Sequence, residues 1–214
     1  MGEIVLVRHG QANSAADNEA DYDKLSDLGH QQAAWLGDWM RSHEAPFDTI
    51  MSGTLRRQRE TLDGLGYPDA MRDARLNEIA YYDLTAEMEA TTGLKRTSPD
   101  DFVTHFPLTL QAWENGTIKG TETYQDFTSR VAAVLDMAAQ PGKRILCVTS
   151  GGIIARAVAQ LLDLDIPHMA KIAFPIYNTS VHRIHVSPNG PMLATFNAVP
   201  HLDHTERTIS RTHY

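Results

Sequence analysis

The chain has 214 residues, 42% hydrophobic and 21% charged, which is enough apolar material for a sizeable core and argues against wholesale disorder. A net charge of −8 argues against nucleic acid or an anionic membrane as the main partner, so affinity for phosphate must come from a local cluster of cations. The single cysteine, Cys147, excludes an internal disulfide, and no apolar run approaches the ~20 residues of a membrane-spanning helix.

Residues 4–7 form a continuous apolar, β-branched run, which reads as a central strand. Residues 11–24 are polar and rich in Asn, Asp and Ala, the composition of a loop. Ser26 is placed as an N-cap, with Leu28, Gln32, Trp35, Leu36 and Trp39 following at helical spacing. Residues 47–51 read as a second strand, and residues 54–62 as a helix closed by GLGYP. Residues 75–79 read as a short strand or strand end. Between 83 and 115 helical pieces are broken by Gly93, Pro99 and Pro107, which suits an inserted helical lid rather than sheet. Residues 123–139 are an amphipathic helix with Tyr124, Phe127, Val131, Val134, Leu135 and Ala138 on one face. A strand at 145–149 and a helix at 152–162 follow. Residues 177–186 and 192–198 alternate around SPNGP, the chemistry of a hairpin.

Strands alternating with helices predict one α/β domain over residues 1–214, a mainly parallel three-layer α/β/α sandwich with a helical insertion at about 83–115. No charged-then-apolar leader precedes EIVLV, and a cytoplasmic location is expected. Ligands of such sheets sit at the carboxyl ends of the strands. Arg8-His9-Gly10, the segment from Ser52 to Arg59, and Ser150-Gly151-Gly152 should therefore converge.

Each segment carries chemistry suited to phosphate. A neutral nitrogen of His9 can attack an electrophile, the Arg8 fork can clamp a phosphoryl group, and Gly10 lets a ligand approach the backbone. Alone, this tripeptide reads equally well as a surface turn. Arg56, Arg57 and Arg59 make a local positive focus in which one side chain should point back to the strand end, and spacing does not say which. Glu78 alone is an ordinary surface carboxylate, but beside a phosphate a carboxyl can serve as general acid. Ser150-Gly151-Gly152 ends a strand at a helix N-terminus, a natural seat for an anion.

Together EIVLVRHGQAN, LSDLGHQQA, SGTLRRQRET, RLNE and VTSGGIIARAV resemble the histidine phosphatase superfamily, the phosphoglycerate mutase-like proteins, over most of the chain. The resemblance implies His9 as the nucleophile that becomes phosphohistidine and Arg8 as the first phosphate clamp. It implies Arg57, four positions before Thr61, as the second clamp and Glu78 as the proton donor. Ser150 and Gly151 fall at the family's remaining phosphate contacts, and no metal or cofactor is implied. Gly10, Asn13 and Ser14 are candidate substrate contacts.

The departure is at Ser150, where the family normally has a second histidine that donates to the phosphoryl group. A serine hydroxyl is a shorter, neutral donor, and losing a charged hydrogen bond is worth roughly 1.5–3 kcal/mol. Acting wholly in the transition state, that slows turnover roughly tenfold to a hundredfold. Ser150 is a native variant in a working phosphatase, an engineered substitution, or the mark of a phospho-ligand binder with little turnover. The first is favoured because nucleophile, both arginines and acid are all present. His201 is a candidate substitute donor, although a structural or surface histidine is the expected role. A serine-hydrolase reading of Ser150 fails for want of a G-x-S-x-G elbow and an Asp-His pair.

The remaining residues that invite attention are read blandly. His182 and His185, three apart on a strand, point to opposite faces and do not form a metal pair. His201 and His204 fall in a polar tail. Trp35 and Trp39 suit the core better than a ligand platform. The expected function is phosphomonoester hydrolysis on a small phosphorylated metabolite, with mutase-type phosphotransfer as the near alternative. Selectivity is expected from the insertion and the loop at 11–24. Paired aromatics and the hairpin edge leave a homodimer open.

Overall fold

The structure is a computed structural model that describes residues 2–13, 16, 18–95, 98, 101–137 and 142–213. Among the described residues, six strands form one sheet in the order β3-β2-β4-β1-β5-β6. The strands are β1 (Gly2–Arg8), β2 (Thr49–Ser52), β3 (Met71–Arg72), β4 (Arg144–Thr149), β5 (Val181–Ser187) and β6 (Gly190–Ala198). The first four run parallel, and β5 and β6 form the antiparallel hairpin that SPNGP predicts. The turn residue Gly190 has φ +105, a conformation that favours glycine.

The apolar run of β1 is unbroken because both of its faces are covered. Ile4 and Leu6 enter one core while Val5 and Val7 enter the other. In β4, Ile145 and Cys147 face the first core, and Leu146 and Val148 the second. Helices α2 (Asp27–His43) and α3 (Arg56–Gly64) cover the second core through Ala33, Leu36, Met40 and Leu62. Helices α6 (Tyr124–Asp136), α7 (Gly151–Leu161) and α8 (Ile166–Ala173) cover the first through Val131, Val134, Ile153 and Met169. This is the expected mainly parallel sheet between two helical layers. Each wholly buried side chain of its size contributes roughly 1.5–3 kcal/mol.

Ser26 caps α2 as predicted, its Oγ accepting from Gly29 N at 3.1 Å. The four-residue α1 (Glu19–Tyr22) interrupts the expected loop at 11–24. The stretch at 75–79 is not a strand: β3 lies before it, and residues 74–76 form a 3-10 turn. Asp73 makes the turn by accepting from Arg75 N at 2.9 Å, which diverts the backbone from the sheet. Helices α4 (Tyr81–Thr92) and α5 (Phe102–Glu114) occupy the stretch expected to be an insertion, with Gly93 ending α4 at φ +75. Pro99 and Ala138 lie outside the described residues.

Candidate active site

Register brings the three predicted segments together. Arg8 pairs with Thr149 across β1 and β4, Ser52 pairs with Val148 across β2 and β4, and His9 N donates to Thr149 O at 2.9 Å. The carboxyl ends of these strands open into a cavity of about 660 Å³ lined by Arg8, His9, Arg57, Glu78, Gly151 and Gly152, among others. Ser150 is not among the lining residues.

His9 is 2% exposed. Its Nδ1–H donates to Gly10 O at 2.8 Å, so the lone pair of the ring lies on Nε2. Burial, with Arg57 and Arg8 nearby, pushes its pKa well below the usual histidine range, and the ring is neutral at neutral pH. Thr179 N and Asn178 Nδ2 hold the His9 carbonyl at 3.3 and 3.2 Å. Gly10 is glycine for packing rather than for a ligand: a Cβ would lie 2.5 Å from Gly29 O of α2. Neither Gly10 nor Asn13 lines the cavity, and Ser14 lies outside the described residues. Asn13 Nδ2 donates to Asp21 O at 3.1 Å, within its own loop.

Arg57 is the arginine that turns inward, 1% exposed, whereas Arg56 is exposed and paired with Glu60. Asp23 fixes it. One carboxylate oxygen takes Arg57 N and Nη1, both at 3.1 Å, and the other takes Arg56 N at 2.9 Å. Leu55, at the N-cap of α3, has no capping side chain, so Asp23 caps that helix and aims its arginine at once. The Arg57 guanidinium stacks 4.9 Å from the centre of the Tyr22 ring. Arg8 donates through Nη1 to Ile176 O, and its buried Nε has no partner among the described residues.

Glu78 faces the N-terminus of α7. Its Oε2 accepts from Gly152 N at 2.9 Å, and its Oε1 accepts from Ile79 N at 3.0 Å. The helix N-terminus that suits an anion therefore holds this carboxylate through Gly152, while Gly151 packs beside the Arg8 side chain. A Cβ at Gly152 would collide with Glu78.

Ser150 is fully buried, and its Oγ accepts from Gln58 Nε2 at 2.8 Å. Gln58 also donates to Leu76 O at 2.9 Å. It is wholly buried itself, although no feature of the motif reading singled it out. The signal was its spacing: four residues before Leu62, it lies on the inward face of α3. Asp23 and Tyr22 were missed because they sit in a stretch read as loop.

His201 is not a solvated tail residue. It is 3% exposed in a 3-10 turn, and its Nε2–H donates to Thr179 Oγ1 at 2.8 Å, away from the cavity lining. Thr179 in turn donates to Asn178 O. His182 is buried while the His185 side chain is 39% exposed, on opposite faces as expected. Trp39 is half-buried and stacks on His43, and Trp35 lies under Arg207. Cys147 is a buried core thiol with its pKa pushed up to about 12 by burial. No helix among the described residues is long and apolar enough to cross a membrane.

Known proteins share this fold. A phosphoserine phosphatase mutant from Entamoeba histolytica, solved with phosphoserine, superposes with a TM-score of 0.69 at 20% identity, covering 94% of this chain and all of that one. A mycobacterial glucosyl-3-phosphoglycerate phosphatase, solved with VO3, gives 0.63 at 23% identity over 92% of this chain and all of that one. In sequence, a 2,3-bisphosphoglycerate-dependent phosphoglycerate mutase from Allorhizobium ampelinum is 37% identical over 94 residues, 39% of this chain. The chain spans 44% of that relative's length in the match. A sequence model of the histidine phosphatase superfamily (branch 1) matches residues 4–199, and the chain belongs to that superfamily.

Proposed function

We propose that the protein is a phosphomonoester hydrolase that works through a phosphohistidine at His9 and needs no metal. The observation that carries this reading is the His9 ring: neutral, fixed through Nδ1–H to Gly10 O, and set in a cavity wall with two buried arginines. Nε2 attacks phosphorus as the bond to the ester oxygen breaks. Arg8 and Arg57 neutralise the non-bridging oxygens, and the backbone at Gly151 adds the helix N-terminus. Glu78, as the acid, protonates the leaving oxygen. Its carboxylate then takes a proton from water, which attacks the phosphohistidine and releases phosphate and neutral His9. The proposed substrate is a small phosphorylated metabolite of the cytoplasm.

The test is hydrolysis of p-nitrophenyl phosphate in excess chelator. Turnover should persist under chelation and fall at least ~10³-fold in His9→Ala, since no other group in the site replaces the nucleophile. Equal turnover by both proteins would overturn the assignment of His9, and loss of turnover on chelation would overturn its metal independence.

A second reading, phospho-ligand binding with weak turnover, is favoured by Ser150, whose hydroxyl is tied to Gln58 behind the cavity wall. A third is mutase-type phosphotransfer, the activity in the name of the Allorhizobium relative. Steady-state turnover separates hydrolase from binder, and transfer to a phosphoglycerate acceptor in place of water would mark a mutase.

A further inference from the structure

The cavity is much larger than a phosphoryl group. At ~30 Å³ for each water-sized group, four phosphate oxygens occupy about 120 Å³ of the 660 Å³ available. The rest faces a wall of four rings. Tyr81 of α4, Phe102 and Phe106 of α5, and Phe174 at the end of α8 pack with centroids 5.4–5.6 Å apart. All four line the cavity, and only Phe106 is buried by its protein neighbours. Partly uncovered rings in a concave site are apolar surface that a ligand would remove from water.

The charges in the wall narrow the choice. Among the described lining residues, the cations are Arg8 and Arg57, both at the phosphate end, and Lys95. Lys95 is paired with Glu89 at 3.1 Å. Among the described residues, a carboxylate on the substrate would therefore meet aromatic faces and Glu89, and beyond the phosphate end only Lys95, already paired with that glutamate; a desolvated anion without a partner is costly.

We propose that Tyr81, Phe102, Phe106 and Phe174 form a leaving-group subsite for flat, apolar phosphomonoesters, aryl phosphates in the first instance, which disfavours small phospho-acids. This rests on the phosphatase reading for its turnover arm but not for its binding arm. The experiment compares 2-naphthyl phosphate with O-phosphoserine, 3-phosphoglycerate and glycerol phosphate in steady-state hydrolysis. It also measures equilibrium binding of the first three to His9→Ala protein.

The expected result is kcat/KM for 2-naphthyl phosphate at least tenfold above the phospho-acids, with the same order in binding. Phe174→Ala should reduce the naphthyl-to-glycerol phosphate ratio of kcat/KM about tenfold and weaken naphthyl phosphate binding. Phe174→Leu, which keeps apolar bulk and removes the ring, reads the same contact if the alanine variant fails to fold. Selective naphthyl phosphate binding without turnover would retain the subsite and overturn the phosphatase reading. Phospho-acids preferred or equal, or a preference insensitive to Phe174, would overturn the subsite.

Discussion

Gln58 Nε2 donates to Ser150 Oγ across 2.8 Å, and both side chains are wholly buried. The amide is anchored from behind by Leu76 O, so it fills space that a longer residue at 150 would need. Ser150→His alone therefore overpacks the site. It is expected to cost about 1–3 kcal/mol of stability and to bring no gain in turnover. Ser150→His with Gln58→Ala makes room for the ring and should raise kcat roughly tenfold or more. Thermal melts and p-nitrophenyl phosphate kinetics on both variants check this. A stable, faster single variant would show that Gln58 does not block the site.

Asp23 links the loop at 11–24 to catalysis because it caps α3 and holds Arg57 with the same carboxylate. Asp23→Ala should lose about 1 kcal/mol of stability from the cap. It should also raise KM for p-nitrophenyl phosphate severalfold by removing the carboxylate that aims the guanidinium. Urea unfolding and steady-state kinetics measure the two effects separately. Unchanged KM with reduced stability would leave Asp23 a cap and nothing more.

Burial pushes down the pKa of three histidines, His9, His182 and His201. Burial holds His182, near Arg8, and His201, near Arg207, at pKa values of about 3, and His9 is also pushed far down. The unfolded chain binds these protons below about pH 6.5, while the folded chain does not. Stability therefore rises with pH through this window and is lost as pH falls below about 6.5. Each histidine contributes about 1.4 kcal/mol per pH unit. His182→Gln should reduce the slope of unfolding free energy between about pH 5 and 6 by roughly a third. Denaturant titrations across that range test it, and an unchanged slope would mean that His182 is protonated in the fold.

Glu78→Gln keeps one oxygen to accept from Gly152 N, gives up the acceptor that Ile79 N uses, and removes the transferable proton. Turnover should fall roughly 10²–10⁴-fold, while stability falls only by about 1 kcal/mol for the one lost backbone hydrogen bond. The loss should be smaller for p-nitrophenyl phosphate, whose leaving group needs little protonation, than for an alkyl phosphate. Equal losses on both would argue against Glu78 as the acid.

The central strands were legible because alternate residues of 4–7 and 145–148 each face a core, which demands an unbroken apolar run. The convergence of the segments that carry Arg8 and His9, the arginines at 56–59, and Gly151 followed from strand order and the carboxyl-end rule, whereas the choice of Arg57 among those arginines came only from the resemblance. The turn at 74–76 was misread because Asp73 decides it with a local side-chain bond that apolar pattern does not register. Gln58 and Asp23 were missed for a related reason: their roles lie in contacts with residues 92 and 34 positions away. The structural role expected for His201 holds, but its burial was not legible because it depends on Thr179, across the fold rather than in its own polar neighbourhood.

The central claim is that phosphate passes through His9, and rapid quench of enzyme mixed with 2-naphthyl phosphate tests it most directly. Intact-mass analysis in alkali, followed by peptide mapping, should find one phosphoryl group on the peptide carrying His9. It should be lost on acidification and absent in His9→Ala. Catalytic turnover with no phosphoenzyme at any time, or a phosphoryl group on another residue, would contradict the account.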